Sequence, residues 1–209
     1  MGILLFVPAG TLKFWQGWAF MAVNLAATLG FCIYFFKHDP QLLARRLLRK
    51  EKVGAQKFIM LLLKLVAAAT CMLCGFDHRF GWSRAWLAPV PWWLALLALA
   101  LYMGCYFLFV PILNANRFAA SIIQVESGQT VADTGPYRLV RHPLYSVSLV
   151  LWFCLPVALG SFIVLPVCAL LIPLLILRLL GEEQFLRREL PGYAEYCRRT
   201  PYRLIPFVW

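Results

Sequence analysis

The sequence predicts an all-α integral membrane protein with five transmembrane helices, the last two forming a tight hairpin, followed by a cytoplasmic helical tail. The first observation is composition: 62% of the 209 residues are hydrophobic and the mean hydropathy is +0.75, whereas soluble domains are about 45–50% apolar. The second is a series of long apolar runs, and the third is a set of basic connections between them. Because no long polar segment interrupts the chain, we expect residues 1–209 to form a single membrane domain.

Three apolar runs have the length of roughly 20 residues that crosses a hydrocarbon core of about 30 Å. A fourth run, Leu144 to Leu180, is too long for one ordinary crossing and is interrupted near its middle by Gly160 and Ser161. We interpret it as two spans joined by a tight turn, with helices that three internal prolines kink or shorten. The expected spans are residues 14–36, 58–76, 91–113, 144–160 and 161–180.

The basic residues predict the orientation of these spans. Sixteen of the twenty lysines and arginines fall after the first span, after the third span or in the tail. Since basic loops stay in the cytoplasm, we expect the amino terminus outside and the carboxyl terminus inside. The net charge of +11 then reflects topology and attraction to anionic lipid, and the sequence shows no nucleic-acid-binding motif. The residues concerned are Lys37, Arg45, Arg46, Arg49, Lys50, Lys52, Lys57, Arg117, Arg138, Arg141, Arg178, Arg187, Arg188, Arg198, Arg199 and Arg203.

Neither the amino terminus nor the cysteines indicate a further function. The opening MGILLFVPAGTLK lacks a basic start and a convincing cleavage site, so we expect it to be retained near the outer interface. Six of the seven cysteines fall within or at the edge of apolar spans, where a thiol behaves as a small hydrophobic group. Cys71 and Cys74 form a CxxC without a second pair, so no metal site is expected.

Polar residues that could perform chemistry occur in two segments on the cytoplasmic side. Residues 114–145 read NANRFAASIIQVESGQTVADTGPYRLVRHPLY, and the second segment, residues 180–206, reads LGEEQFLRRELPGYAEYCRRTPYRLIP. A span out and a span back return Glu182 and Glu183 to the depth of His142. The topology therefore predicts that these distant segments form one site.

The residue types in this predicted site suit a ligand that carries both charges. Pro143 favours the first turn of a helix, which places His142 at the cap. The free N–H groups of that turn, with Arg141 and His142 beside them, favour a carboxylate or phosphate. Glu182 and Glu183 could accept hydrogen bonds from a sugar diol or an amine. S-adenosylmethionine carries a carboxylate, an ammonium, a ribose diol and a fixed cation, and would use all these groups.

A structural interpretation stays open beside this one. Arginine and histidine at the end of a span are common interfacial anchors. The glutamates lie near Arg187 and Arg188 and could form ion pairs on a solvated helix face, worth at most about 0.5 kcal/mol each. Lys64, inside the second span, is a functional candidate that could instead snorkel to the interface. Two roles also stay open for Asn114, Asn116 and Arg117, which could each cap a helix or face the cavity.

Five motifs follow one another in residues 114–209. They are Gly135-Pro136-Tyr137, Arg141-His142-Pro143-Leu144-Tyr145, Glu182-Glu183 with Leu186, Gly192-Tyr193 with Tyr196, and Arg203 with Pro206. These motifs and their order resemble the carboxyl-terminal half of the isoprenylcysteine carboxyl methyltransferase family and its bacterial relatives, in the phospholipid methyltransferase-like superfamily. The family pattern is GPY, RHPxY, EExxL, a GxxYxxY stretch and a closing Arg and Pro.

The resemblance implies methyl transfer from S-adenosylmethionine to a membrane-embedded or hydrophobic acceptor, for example an isoprenylcysteine-type carboxylate. The cofactor pocket would open to the cytosol, and a lipophilic small-molecule or lipidated substrate would enter from the bilayer. No obligate protein partner is expected. The implied roles are cofactor binding for His142, Tyr145 and Glu182, pocket lining for Tyr137 and Tyr193, and catalysis for Arg141 and Glu183.

The chemistry of the acceptor stays open at this point. A carboxylate nucleophile is ionised at neutral pH and needs only positioning, which Arg141 could provide bidentately. An amine or a thiol would need a base, and Glu183 could accept that proton. Two other classes also remain: a membrane reductase using a nicotinamide cofactor, because sterol reductases resemble this chain in an RHPxY segment, and a non-enzymatic membrane protein that retains the fold.

Overall fold

The computed structural model describes residues 1–47, 54–119, 122–123 and 125–209. All regular secondary structure in these ranges is helical, which confirms the predicted all-α class. The predicted basic residues Arg49, Lys50 and Lys52 lie outside the described residues. The helices are α1 Gly2–Ala9, α2 Trp15–His38, α3 Pro40–Leu47, α4 Gly54–Phe80, α5 Trp82–Trp86, α6 Trp92–Ala115, a 3-10 helix Gly135–Arg138, α7 Pro143–Ala158, α8 Leu165–Ala169, α9 Leu171–Glu189 and α10 Tyr193–Arg199.

Four helical segments in the described ranges are long and apolar enough to cross a membrane. They are Trp15–His38, Gln56–Phe80, Trp92–Ala115 and Leu165–Glu189. The predicted span 144–160 corresponds to α7, an apolar helix of 16 residues. At 1.5 Å per residue α7 is about 24 Å long, shorter than a hydrocarbon core of about 30 Å. Four of the five predicted spans therefore correspond to helical segments long enough to cross a membrane. The predicted span 144–160, which is α7, is shorter than a usual crossing.

The last two predicted spans form a helical hairpin. Gly160 adopts a left-handed conformation with φ of 79°, where a side chain would strain the backbone. The Cys168 thiol donates to the Trp152 carbonyl at 3.6 Å, and farther from the turn the Tyr145 hydroxyl donates to Glu182, so the two arms run antiparallel. The second arm continues through α9 to Glu189, beyond the predicted end at residue 180. The glutamates at 182 and 183 thus belong to the spanning helix itself, because the sequence LGEEQFLRRE remains favourable for helix after its apolar run has ended.

Polar side chains connect α2 and α6 along their length. The Tyr102 hydroxyl donates to Asn24 Oδ1 at 2.7 Å, and Asn114 Nδ2 donates to the Tyr34 hydroxyl at 3.2 Å. The second pair lies later in both helices than the first pair does, so α2 and α6 run side by side in the same direction. This arrangement is the one expected of a first and a third span.

The amino-terminal segment forms a helix packed on α4. Leu5 is completely buried, and Gly75 of α4 approaches α1 so closely that an added Cβ would lie 2.5 Å from the Leu5 carbonyl oxygen. Glycine at this position permits the contact because it has no side chain. The structure shows that this segment is helical and partly buried. Its location near the outer interface stays a prediction from the sequence.

A buried carboxylate joins α4 to the tip of the hairpin. Asp77 accepts hydrogen bonds from the backbone N–H of Ser83 at 2.7 Å and from its hydroxyl at 2.5 Å. The Ser83 oxygen in turn accepts the N–H groups of Phe162 and Ile163 at 3.1 and 3.2 Å. These bonds satisfy buried polar groups and fix the end of the hairpin opposite its glutamates.

Candidate functional site

A cavity of about 320 Å³ lies at the end of the hairpin where α7 begins and α9 ends. Its wall is polar near Arg141, His142 and Glu182, and apolar near Trp152 and Leu175. The volume is at the lower end of the range for small-molecule sites, about 300–1,000 Å³. The cavity can therefore accommodate a ligand with a charged part and an apolar part.

The backbone of the Arg141-His142 pair is held by the carboxyl-terminal tail. The Arg141 N–H donates to the Tyr202 carbonyl at 2.9 Å, and the His142 N–H donates to the Arg203 carbonyl at 3.0 Å. Pro143 occupies the first turn of α7 and needs no N–H partner there. The tail thus fixes the position of the two side chains at the edge of the cavity.

Glu183 is surrounded by three basic side chains. Its Oε1 lies 3.0 Å from Arg141 Nε and 3.3 Å from His142 Nε2, and its Oε2 accepts a hydrogen bond from Arg203 Nε at 3.2 Å. Although Arg141 Nε is at ion-pair distance, its N–H does not point at the carboxylate and has no hydrogen-bond partner among the described residues. About 5% of the side chains of Arg141 and Glu183 is exposed, so this charge pair is almost completely desolvated.

This position separates Glu183 from the other predicted site residues. Arg141, His142, Tyr145, Glu182, Tyr137 and Tyr193 all line the cavity, whereas Glu183 lies behind Arg141 and His142 and is not part of the lining. Its geometry is that of a residue that orients the side chains of Arg141 and His142. The predicted contact of Glu183 with the reacting end of a substrate stays a prediction.

Tyr145 and Glu182 connect the two arms of the hairpin inside the cavity. The Tyr145 hydroxyl donates to Glu182 Oε2 at 2.5 Å, and the Tyr145 ring stacks on His142 with 5.6 Å between centroids. A hydrogen bond to a carboxylate is stronger than one between neutral groups. The structure therefore brings the RHPLY segment and the glutamate pair together, as the topology predicted.

Three tyrosines close the cavity on the side of the tail. The Tyr196 hydroxyl donates to the Tyr137 carbonyl at 2.8 Å, and the Tyr137 hydroxyl accepts from Asn116 Nδ2 at 3.4 Å. The Tyr193 hydroxyl is buried and has no hydrogen-bond partner among the described residues. Burial raises the pKa of Tyr137 to about 12 and also raises the pKa of Tyr193, so both hydroxyls are neutral near pH 7. The Tyr193 hydroxyl is available to a ligand.

Two arginines of the cavity were not selected as site residues from the sequence, which treated Arg46 and Arg178 only as basic charges that set topology. Both line the cavity. Arg178 Nη1 also donates to Gln56 Oε1 at 3.3 Å, across the contact between α9 and α4. Arg178 precedes Glu182 by four residues on an apolar helix, a spacing that puts both on one face and could have identified it. Arg46 has no comparable local signal.

The structure also places the residues whose roles were open. Asn116 lines the cavity, and Asn114 instead donates to Tyr34 on α2. The Arg117 side chain is exposed, and its carbonyl accepts from Arg45 Nη1 at 3.0 Å. Lys64 is exposed and is not part of the cavity lining, an arrangement compatible with snorkelling.

The fold and the site together define a multi-pass helical membrane protein with a charged and apolar cavity at one end of its terminal hairpin. Residues 94–188 match the model of the Isoprenylcysteine carboxyl methyltransferase (ICMT) family. This match confirms the resemblance that the motif order predicted. The matched segment includes Arg141, His142, Tyr145 and both glutamates, and it ends before Tyr193.

Two curated proteins are similar to parts of the chain. The Cobalt-zinc-cadmium resistance protein CzcN of Cupriavidus metallidurans is 31% identical over 127 residues, which are 60% of this chain and 54% of that protein. The Delta(14)-sterol reductase TM7SF2 of Mus musculus is 34% identical over 93 residues, which are 42% of this chain and 22% of that protein. The chain thus spans about half the length of the first relative and about a fifth of the second.

Proposed function

We propose that the protein is an S-adenosylmethionine-dependent methyltransferase that acts on a membrane-embedded or hydrophobic acceptor. The observation that carries the proposal is the meeting of two motifs of the family-matched segment around one cavity, through the hydrogen bond from Tyr145 to Glu182. The family match alone supports methyl transfer in general. The meeting of the two motifs around one cavity supports a cofactor site there.

The residues of the cavity fit this cofactor. Glu182 is a carboxylate that can accept from a ribose diol or an ammonium, and His142 can donate to the carboxylate of the cofactor. The buried Tyr193 hydroxyl lines the cavity and has no hydrogen-bond partner among the described residues, so a polar ligand would satisfy it. An apolar ligand would leave this hydroxyl unsatisfied.

When bound, S-adenosylmethionine supplies an electrophilic methyl group, and the electron pair of the broken carbon–sulfur bond leaves on sulfur. His142, Tyr145 and Glu182 would hold the cofactor, with Tyr137 and Tyr193 closing the cavity beside it. Arg141, supported by Glu183, would position the acceptor. Trp152 and Leu175 would exclude water from the reacting groups and contact the hydrophobic part of the acceptor.

We also propose that the chain works as a single membrane domain whose site faces the cytoplasm. The basic residues Arg187, Arg188, Arg198 and Arg199 surround the end of the molecule that contains the cavity and support this orientation. An isoprenylcysteine-type carboxylate is one acceptor compatible with such a site. The required partners would be the lipid bilayer and the lipophilic substrate.

Calorimetric titration of the purified protein with S-adenosylmethionine, in a non-ionic detergent, tests the proposal. We expect saturable binding by the wild type and a loss of about tenfold or more in affinity for Glu182→Gln, because a hydrogen bond to a charged group is removed. His142→Ala should have an effect of similar size. Glu189→Gln is the matched control, since Glu189 is exposed on the same helix and outside the cavity.

Absence of binding by the wild type, or equal binding by the wild type and Glu182→Gln, would contradict the site assignment. Incubating membranes with cofactor labelled on its methyl group would then identify the acceptor by following the label. The similarity to a sterol reductase supports reduction with a nicotinamide cofactor as a second candidate. Titration with NADPH under the same conditions separates the two, because each proposal predicts binding of only one cofactor.

A further inference from the structure

Residues 203–209 form a closed loop behind the cavity. The main-chain oxygen of Trp209 accepts three N–H groups, at 2.8, 2.9 and 3.2 Å, from Arg203, Leu204 and Ile205. The Trp209 N–H donates in turn to the Ile205 carbonyl at 3.2 Å. These backbone bonds fix the two ends of the loop to each other. They place the side chain of Trp209 beside that of Arg203.

The indole ring of Trp209 faces the Arg203 guanidinium. The guanidinium carbon lies 5.0 Å from the centre of the ring, which is within the distance of a favourable cation–π contact, and tryptophan is the best partner for such a contact. Arg203 Nε also donates to Glu183 Oε2 at 3.2 Å. The guanidinium is therefore held between a ring and a carboxylate.

Arg203 needs such support because its side chain is partly exposed. About 27% of the Arg203 side chain is exposed, compared with 5% of the Glu183 side chain. Ordering a long, partly exposed arginine costs conformational entropy, so one ion pair with a carboxylate contributes little to holding it in place. A second contact on the same guanidinium lowers that cost, because it restricts the side chain to the conformation that reaches Glu183.

The loop is not held in place by burial of its other apolar side chains. Ile205, Phe207 and Val208 are 54%, 87% and 74% exposed. Trp209 is less exposed than these residues, and its ring has a defined partner. The contact between Trp209 and Arg203 is thus directed towards the site and is not part of a general apolar core.

Arg203 connects this loop to the wall of the cavity in two ways. Its carbonyl accepts the His142 N–H at 3.0 Å, and its side chain reaches Oε2 of Glu183. The other oxygen of Glu183 lies 3.0 Å from Arg141 Nε and 3.3 Å from His142 Nε2. If the guanidinium of Arg203 moved away, the carboxylate could rotate, and the side chains at its other oxygen would lose their fixed orientation.

We infer that Trp209 is a positioning residue of the cavity, which acts on Glu183 through Arg203. Glu183 transmits the effect because it contacts both Arg141 and His142, which line the cavity, whereas Trp209 is not part of the described lining. The segment that matches the family ends before this loop begins. The inference rests on the proposed function only for the ligand that measures the effect.

A double-mutant cycle tests this role by calorimetric titration with S-adenosylhomocysteine in a non-ionic detergent. We expect Trp209→Ala to weaken binding about three- to tenfold, in line with the loss of one cation–π contact. In an Arg203→Gln background the same substitution should have no further effect, because Trp209 acts through Arg203. Trp209→Phe should retain part of the affinity, since phenylalanine keeps a weaker aromatic partner.

Val208→Ala is the matched control, because it shortens an exposed side chain in the same loop, and it should bind as the wild type does. The inference is refuted if Trp209→Ala binds as the wild type does. It is also refuted if Trp209→Ala weakens binding by the same factor with and without Arg203→Gln, the result expected of a purely structural role.

Failure of the wild type to bind S-adenosylhomocysteine would contradict the proposed function, and thermal unfolding then decides the inference without a ligand. If Trp209 acts on Glu183, Trp209→Ala should lower the melting temperature less in a Glu183→Gln protein than in the wild type. Equal decreases in the two backgrounds would refute the positioning role.

Discussion

At the scale of single residues, Glu183 connects three parts of the chain. It belongs to α9, it contacts Arg141 and His142 at the entry of α7, and it accepts a hydrogen bond from Arg203 in the tail. A buried carboxylate that neutralises buried cations is costly to remove, because the cations remain desolvated without it. Glu183 therefore contributes to the stability of the site whether or not it takes part in chemistry.

Replacing Glu183 by glutamine should destabilise the protein by about 2–4 kcal/mol, since it leaves the buried Arg141 without its carboxylate. We expect the melting temperature in detergent to fall by about 5–10 °C. Thermal unfolding followed by circular dichroism measures this change, with Glu189→Gln as the exposed control on the same helix. Equal melting temperatures for the two variants would show that the ion pairs add no stability.

At the scale of helices, the contact between α1 and α4 depends on the absence of one side chain. Gly75 lies against the backbone of α1, with the Leu5 carbonyl at 2.5 Å from an ideal Cβ. A backbone atom cannot move aside as a flexible side chain can. The short amino-terminal helix is thus packed against α4 by close backbone approach.

Gly75→Ala should therefore separate α1 from α4 and cost about 1–3 kcal/mol, the usual range for overpacking. Gly104→Ala is the matched control, because an added Cβ at Gly104 in α6 meets nothing within 4 Å. The control should be neutral or gain up to about 1 kcal/mol from helix propensity. The melting temperatures of the two variants measure this difference in stability. If Gly75→Ala were as stable as Gly104→Ala, the close contact between α1 and α4 would be excluded.

At the scale of the whole molecule, the directions of the helices and the distribution of charge agree. Helices α2 and α6 run in the same direction, and the arms around Gly160 run in opposite directions. If the 16-residue helix α7 completes a crossing, the two termini lie on opposite sides of the membrane. Its shortness would then require local thinning of the bilayer.

Fusions to the two ends of the chain test this topology. We expect green fluorescent protein to be fluorescent, and alkaline phosphatase inactive, when each is attached after Trp209 in bacterial cells, because the basic tail is proposed to be cytoplasmic. Attached before Met1, the two reporters should give the opposite result. The same reporter response at both ends would indicate an even number of crossings and exclude α7 as a span.

The features predicted from sequence are those with a local signature. Apolar run length located four helices long enough to cross a membrane, because the bilayer sets the length of such segments, and the interruption at Gly160 and Ser161 located the hairpin. The predicted hairpin also implied that His142 lies close to Glu183, and the two side chains are in contact in the structure. The end of α9 was misplaced because hydropathy falls at Gly181 while the helix continues to Glu189.

The features that sequence did not reveal depend on distant contacts. Arg46 resembles its neighbour Arg45 in sequence, yet one lines the cavity and the other binds Glu126. Only the packing of α3 distinguishes them. The adjacent Glu182 and Glu183 likewise do not reveal in sequence which of them lines the cavity. Adjacent helical residues point in directions about 100° apart, and only the packing of α9 determines that Glu183 lies behind Arg141 and His142.

The backbone hydrogen bonds from Arg141 and His142 to Tyr202 and Arg203 also have a consequence for biosynthesis. At roughly 5–20 residues per second, several seconds of translation separate the two partners. Throughout that interval the hairpin can enter the membrane while Arg141 and His142 still lack their backbone partners in the tail. These two bonds at the edge of the cavity can therefore form only after Tyr202 and Arg203 have been synthesised, later than the whole hairpin.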